Sequence, residues 1–151
     1  MMHVGLKLDA FKQLFFDEKK VRDAADRARQ RALARFGAYV RTAARTSIRK
    51  RRRPSEPGQP PSSHTGLLKR FIFFGYDRQW RSVVIGPTRL NQATGDAPPA
   101  LEYGGPSRVI SGGRRKKKVV RKVTIRARPF MQPAFEKEQK KLPALWANSV
   151  R

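Results

Sequence analysis

Few residues in this sequence are arranged as catalysis would need them. A hydroxyl and an imidazole are adjacent at Ser63 and His64, but no carboxylate lies near in sequence to orient the imidazole as a base. His64 is therefore interpreted as a turn residue. The acidic residues between Asp17 and Asp26 fall in a charged helical pattern, where pairing with Lys or Arg three or four positions away is the ordinary explanation. A small hydrolase is the weakest hypothesis, and we expect a protein that is not an enzyme.

Ligands for the common metal and cofactor sites are also missing from the sequence. There is no cysteine, and the two histidines, His3 and His64, are far apart, so the sequence offers no disulfide and no thiolate zinc site. The glycine pairs at 104–105 and 112–113 match neither the dinucleotide nor the phosphate-loop pattern, since neither pair follows a strand and opens a helix. We expect no cofactor and no metal.

Positive charge is the dominant chemical feature of the chain. Its 151 residues include 35 Lys and Arg against 11 Asp and Glu, which gives a formal net charge of +24. Such a charge disfavours a compact free monomer and attracts polyanions. Nucleic acid is the first candidate partner and an acidic protein the second. A membrane surface is the weakest, because no basic helix has the bulky apolar face that insertion needs, and we expect no membrane association.

Two runs of consecutive cations are candidate contacts to DNA or to a protein partner. Lys and Arg neutralise phosphates and release counterions, which gives salt-dependent binding without sequence preference. Each run lies beside a segment rich in proline or glycine. A solvated loop, or a patch that faces an acidic neighbouring subunit, remains the alternative. The runs are Arg49, Lys50, Arg51, Arg52 and Arg53, and Arg114, Arg115, Lys116, Lys117 and Lys118.

The elements that position these runs begin with a long amphipathic helix. Asp17 can cap it, and small or apolar residues follow at steps of three and four through Val21, Ala28, Phe36, Tyr39 and Ser47. The pattern predicts a helix to about Lys50, which would be about 45 Å long. Before it, a short strand is expected at residues 4–8 and a helical turn at residues 10–16.

A proline-rich segment at residues 51–66 follows and is expected to form an extended arm, because proline lacks the N–H that a helix or sheet needs. Residues 67–76 and 80–86 are enriched in aromatic and β-branched residues and predict a β-hairpin. Residues 87–118 are expected to be a long flexible loop that ends in the second basic run, interrupted by a helical turn at 100–103 with a glycine stop.

Alternation at residues 119–127 predicts a strand with one buried face, at Val119, Val123 and Ile125, and one cationic face. A final helix after Pro129 should be interrupted by Pro143. Residues 1–151 are therefore expected to form a single α+β domain. Its fold would be a long N-terminal amphipathic helix packed on a small antiparallel sheet, with a C-terminal helix and long extended loops.

The order of several short motifs resembles one protein family. Residues 101–105 read Leu-Glu-Tyr-Gly-Gly, and residues 127–135 read Ala-Arg-Pro-Phe-Met-Gln-Pro-Ala-Phe. They follow Arg-Thr-Ala-Ala-Arg-Thr-Ser-Ile-Arg-Lys at 41–50, Ser-His-Thr-Gly-Leu-Leu-Lys-Arg at 63–70 and Val-Val-Ile-Gly-Pro at 83–87. The succession, from about Ala24 to Leu145, is similar to the head–tail joining or tail-completion proteins of tailed bacteriophages, also described as minor tail or neck proteins. The chain departs from the family in its unusually high charge.

This resemblance implies a homo-oligomer, with a hexameric ring expected, at the head–tail interface of the virion. The neighbours would be connector or stopper proteins and tail-tube or terminator proteins, with viral DNA in the lumen and assembly in the host cytoplasm. The alternative is a general sequence-independent nucleic-acid-binding protein. Candidates for the subunit interface are Leu67, Leu68, Phe71, Phe73, Leu101, Glu102 and Tyr103, although Glu102 has the plainer interpretation of a local cap.

Overall fold

The structure, a computed structural model, describes residues 17–88, 97–111, 119–147 and 149. The expected α+β class is confirmed by the long helix, the small antiparallel sheets and the C-terminal helices. The elements in chain order are α1 (Glu18–Ser47), β1 (Arg49–Lys50), β2 (Ser62–Ser63), α2 (Leu67–Arg70), β3 (Ile72–Asp77), β4 (Ser82–Pro87), α3 (Ala97–Tyr103), β5 (Gly105–Ser111), β6 (Val119–Ile125), α4 (Met131–Gln139) and α5 (Leu142–Ala147). The strand and turn expected at residues 4–16 lie outside the described residues.

Helix α1 begins as expected but ends earlier. The Asp17 side chain accepts a hydrogen bond from the Lys20 backbone N–H at 3.1 Å, which caps the helix and lowers the pKa of Asp17. At the other end, Ile48 is extended, and Arg49–Lys50 pairs in parallel with Ser62–Ser63. The expected extension to Lys50 is therefore wrong, because these residues make strand hydrogen bonds instead of helical ones.

The buried stripe of α1 repeats at four-residue steps. Ala28, Ala32, Phe36, Val40 and Ala44 are buried where α1 packs against β3, β4, α4 and α5. Val21 and Tyr39, which the sequence pattern placed on the apolar stripe, are exposed. Four residues make slightly more than one turn of an α-helix, so a stripe with this spacing winds slowly around the helix axis. The stripe therefore follows the surface that covers it.

The core lies between α1, β3 and the start of α4. Its buried members are Phe36, Val40, Ala44, Ile48, Ile72, Phe130 and Ala134. Leu68, Leu101, Leu142 and Leu145 pack around its margin. Residues that are nearly a hundred positions apart thus share one core, which ties the helix-and-hairpin half of the chain to the C-terminal helices.

The predicted hairpin is confirmed as β3 paired antiparallel with β4, with Ile72 opposite Pro87 and Asp77 opposite Ser82. The sequence pattern placed the start of the first strand at residue 67, which is too early, because β3 begins at Ile72. Leu67 and Leu68 belong to α2, which follows Gly66 at φ +78° and a Ser63 hydroxyl that accepts from the Gly66 N–H at 2.8 Å. Trp80 lies in the connecting turn and is 76% exposed.

A second hairpin replaces part of the loop expected at residues 87–118. Within that range, 97–103 is helical and Gly105–Ser111 pairs antiparallel with Val119–Ile125. Strand β6 was correctly predicted, but its buried face was not, because Val119 and Val123 are exposed and Ile125 is only half-buried. Among the elements that the structure describes, α3 makes the main contact with this hairpin, and residues 119–124 of β6 are all exposed.

The C-terminal helix is divided into α4 and α5, as the position of Pro143 predicted. The Lys141 N–H donates to the Glu138 carbonyl at 2.9 Å in the turn between them. None of the described helices is both long enough and apolar enough to span a bilayer.

Gly37 lets α1 approach the β3–β4 hairpin closely. A Cβ added there would meet Phe74 Cδ2 and Val83 Cγ2, each at 2.8 Å. We expect Gly37→Ala to lower the free energy of unfolding by about 1 kcal/mol. Overpacking of about 1–3 kcal/mol should outweigh the gain in helix propensity of up to about 1 kcal/mol.

Urea unfolding would measure this change. Gly75→Ala is the matched control, because a Cβ at Gly75 meets no atom within 4 Å and the substitution should be neutral or stabilising. Equal stability of the two variants would contradict the close packing of α1 on the hairpin.

Candidate functional site

The Glu102 carboxylate joins two of the sequence motifs. Its Oε2 accepts hydrogen bonds from the backbone N–H groups of Phe130 at 2.9 Å and Met131 at 3.1 Å, and its Oε1 accepts from Gln132 at 2.8 Å. These N–H groups belong to the first turn of α4, where no helical carbonyl is available to them. The negative charge also lies at the positive end of the helix dipole. Glu102 is therefore the N-terminal cap of a helix that is remote in sequence.

This role corrects the interpretation of Glu102 as a local cap, and it leaves the carboxylate little exposed for the contact expected at a subunit interface. Its side chain is only 9% exposed, and both oxygens are engaged within its own chain. Leu101 is also turned inward, against the core. Tyr103, by contrast, is 78% exposed and is the one of these three candidates that a partner can reach.

Gly104 allows the two motifs to meet. It follows α3 at φ +76°, and a Cβ there would lie 3.0 Å from the Ala127 nitrogen and 3.1 Å from the Ile125 carbonyl oxygen. Three residues earlier in the motif, the Leu101 carbonyl accepts from the Arg128 N–H at 2.6 Å. The glycine stop expected after the helical turn is confirmed, and its second function is this close backbone approach.

The first basic run lies on the surface where α1 ends. Arg49 to Arg53 are exposed, and none of them has a carboxylate within ion-pair distance among the described residues. Arg49 and Arg51 line an open groove of about 540 Å³ together with Thr46, Gln59 and Lys137. Lys137 comes from α4, and nothing in the sequence pattern connects it to this run. The structure therefore adds a cation from a distant helix to the predicted cluster.

The proline-rich segment 51–66 lies against its own chain rather than extending from it. The Gly58 N–H donates to the Ala127 carbonyl at 2.9 Å, and Arg128 Nε donates to the Ser55 carbonyl at 3.0 Å. Ser55 and Ser63 are buried. The expected extended arm is thus an irregular segment that packs beside residues 127–128.

The second basic run, Arg114 to Lys118, lies outside the described residues, but the strands on either side of it are described. Arg108 of β5 is directly opposite Lys122 of β6. Arg121 and Arg126 are exposed as well. The cationic face of β6 was predicted from alternation, whereas its partner Arg108 was not, because the sequence pattern did not reveal β5.

An apolar patch accompanies the cations. Leu67, Phe71 and Phe73 are exposed, and Val84, opposite Gly75 on the outer side of the β3–β4 hairpin, is 64% exposed. The rings of Phe71 and Phe73 meet edge to face at 6.3 Å. Leu68, in contrast, packs against the core. Three of the four interface candidates in this region are therefore available to a partner.

Arg41 borders this apolar patch. Its guanidinium lies 5.9 Å from the Phe73 ring centroid and donates through Nε to the Ile72 carbonyl at 2.9 Å. This arginine is consequently held in place by the fold, unlike the exposed cations of the first basic run.

Three of the four acidic residues between Asp17 and Asp26 form the ion pairs that were expected, and Asp23 forms none among the described residues. Asp17 pairs with Lys20, Glu18 with Arg22, and Asp26 with both Arg29 and Arg81. Within residues 17–88, 97–111, 119–147 and 149, no group of three His, Cys, Asp or Glu side chains could hold a metal ion.

Comparison with known proteins found no relative of this chain. No family model, no curated protein and no solved structure matches it.

Replacing Glu102 should destabilise the fold strongly. We expect Glu102→Ala to lower the free energy of unfolding by about 2–3 kcal/mol, because it removes a charged cap and leaves buried N–H groups without an acceptor. Glu102→Gln, which keeps one acceptor oxygen, should lose less.

Glu136→Gln is the matched control for this prediction. Glu136 is on the same helix, is exposed, and contacts only the Gln132 side chain at 3.0 Å. Urea unfolding of the three variants would be compared, and an effect of Glu102→Ala no larger than that of Glu136→Gln would show that the cap does not stabilise α4.

Proposed function

We propose that the protein is a non-enzymatic structural subunit of the neck of a tailed bacteriophage. Copies of it would form a homo-oligomeric ring, expected to be hexameric, that joins or completes the tail at the head–tail interface. Connector or stopper proteins would lie on one side of the ring, and tail-tube or terminator proteins on the other. The proposal starts from the family resemblance, and its structural support comes from the surfaces that the single chain leaves uncovered.

The observation that carries the proposal is the uncovered β5–β6 hairpin. A two-stranded hairpin without a packed face is at best marginally stable in water. Here both strands are long enough to pair over seven residues, yet Val120 and Val123 remain exposed. A neighbouring copy that packs against the face of Val123 would bury that valine, while the opposite face, which carries Lys122, would stay open.

The outer side of the β3–β4 hairpin supports the same conclusion. Its patch of Leu67, Phe71, Phe73 and Val84 is apolar and lies next to cations, a composition that marks protein interaction sites. A contact between two different surfaces of one subunit forms a ring when the rotation that relates neighbouring copies closes on itself. The two hairpins provide two such different surfaces.

The capped start of α4 supports the resemblance itself. Leu-Glu-Tyr-Gly-Gly and Ala-Arg-Pro-Phe-Met-Gln-Pro form one structural unit, joined by the Glu102 carboxylate and by the Leu101–Arg128 hydrogen bond. Motifs that must fit each other have a physical reason to occur together. In a ring, the cations of each copy would also be repeated around one axis and would favour a DNA end in the lumen.

Complementation of assembly would test the proposal. Infection with a phage in which this gene is interrupted should accumulate DNA-filled heads and separate tails, because the joint between them is missing. Addition of the purified protein to that lysate should restore joined, infectious particles. Glu102→Ala protein is the matched negative control, since its fold should be weakened.

Electron microscopy and plaque counts would provide the readouts. Joined particles in the absence of the protein, or a protein that fails to bind heads or tails, would contradict the neck assignment.

The second candidate is a general sequence-independent nucleic-acid-binding protein. The observation in its favour is the exposed, unpaired run Arg49 to Arg53 with Lys137 beside it. The two functions differ in what they require of the cations.

Replacing Arg114 to Lys118 by neutral residues should separate the two functions. A binding module should lose most of its affinity for DNA or RNA, because that affinity comes from phosphate neutralisation. A structural joint should still form its ring and still join heads to tails. Filter binding and the assembly test above would be carried out on the same variant and on the unmodified protein. Nucleic-acid binding by an unmodified protein that does not join heads to tails would favour the second candidate.

A further inference from the structure

The β5–β6 hairpin has a charge arrangement that its own chain does not compensate. Arg108, Arg121, Lys122 and Arg126 are all exposed. None of them forms an ion pair among the residues that the structure describes. The neutral residues between them, Val123 and Thr124, are exposed too. The hairpin therefore presents cations on an element that has little contact with the rest of the molecule.

Arg108 and Lys122 are directly opposite each other in the antiparallel ladder. Side chains at such positions leave the same face of the sheet, with Cβ atoms about 5 Å apart, and like charges there destabilise the pair. Arg126 has the same parity as Lys122 and lies about 13 Å further along, at about 3.3 Å per residue. Three cations thus lie along one face of the hairpin and its base.

Protection against aggregation is the simplest alternative explanation, since exposed strands often carry Lys for that reason. That function needs a single charge and gains nothing from placing a second one opposite it. An opposed pair that lowers the stability of an already uncovered hairpin is better explained by an anion that binds between the two cations.

We propose that the β5–β6 hairpin binds duplex DNA through its phosphates, with Arg108, Lys122 and Arg126 as the contacting cations. A two-stranded ribbon fits within the major groove of B-DNA, and its cations can reach the phosphates beside it. The inference rests on the proposed neck function, because that function places DNA inside the ring. The binding itself can be measured on the isolated protein.

Duplex DNA is favoured over single strands and over an acidic protein for two reasons. Residues 105–125 include no Phe, Trp or Tyr, so this part of the chain lacks the stacking surfaces that single-strand binders use. The connection between the two strands carries five further consecutive cations, Arg114 to Lys118. Consecutive Lys and Arg residues neutralise phosphates and release counterions, which favours a partner of high negative charge density such as a duplex.

Fluorescence anisotropy with a labelled duplex of about 30 base pairs, at about 50 to 200 mM salt, would test the inference. Each phosphate contact adds about 0.9 to the slope of log affinity against log salt. The variant Arg108→Gln with Lys122→Gln should therefore reduce the slope by about 1.8. Between about 50 and 200 mM salt, the affinity of this variant should therefore fall by a factor about ten times smaller than the factor for the unmodified protein.

Arg70→Gln with Lys140→Gln is the matched control, because both residues are exposed, lack ion-pair partners among the described residues and lie on other elements. It removes the same charge and should leave the slope unchanged. Arg108→Lys with Lys122→Arg keeps both charges and should bind like the unmodified protein, which separates charge from folding of the hairpin.

Three results would overturn the inference: equal slopes for the hairpin variant and the control variant, unaltered binding by the hairpin variant, or preference for polyglutamate over the duplex. The assembly test of the proposed function separates this inference from the neck proposal. Protein that restores joined particles but does not bind the duplex overturns the DNA contact alone, whereas protein that binds the duplex through the hairpin but restores no joined particles overturns the neck proposal alone.

Discussion

The arrangement of this protein depends on one buried carboxylate. Glu102 accepts three backbone N–H groups at the start of α4, and α4 supplies Phe130 and Ala134 to the core under α1. The same contact brings the end of α3 against residues 125–128, where Gly104 leaves room for the two backbones to meet. Because β5 starts at the next residue, the cap also determines where the second hairpin leaves the body of the molecule.

Stabilisation is concentrated in that body, where the buried apolar residues lie. The core unites α1, β3 and α4, and Arg41 secures the hairpin edge through the Ile72 carbonyl and the Phe73 ring. Ion pairs in the described part of the chain engage only five cations, Lys20, Arg22, Arg29, Arg81 and Lys141. Exposed pairs of this kind contribute about 0–1 kcal/mol each. The apolar core therefore holds the fold together, and most of the positive charge is uncompensated, as expected of a subunit that functions beside a polyanion or an acidic neighbour.

Local patterns predicted the elements whose stability is local. The Asp17 cap and the three- and four-residue spacing predicted α1, enrichment in aromatic and β-branched residues predicted β3 and β4, and alternation predicted β6. The chain-breaking residues Gly104 and Pro143 predicted where helices stop. Errors arose where a segment depends on a distant partner. β5, with two glycines and a proline near its ends, has a weak strand pattern and owes its conformation to pairing with β6. The end of α1 was placed too late because β2 competes for Arg49 and Lys50.

By itself, the sequence determined the charge, the absence of cysteine, the α+β class and which residues are cations, since these follow from composition and from spacing over a few residues. The tertiary structure alone decided that Glu102 points inward to α4, that Lys137 joins Arg49 and Arg51, and that Arg108 faces Lys122. Each of these contacts joins residues that are 14 to 88 positions apart in the sequence. Arg108 also lies in a strand that the sequence pattern did not predict. Such contacts are set by how the elements pack, and periodicity along the chain contains no information about packing between distant segments.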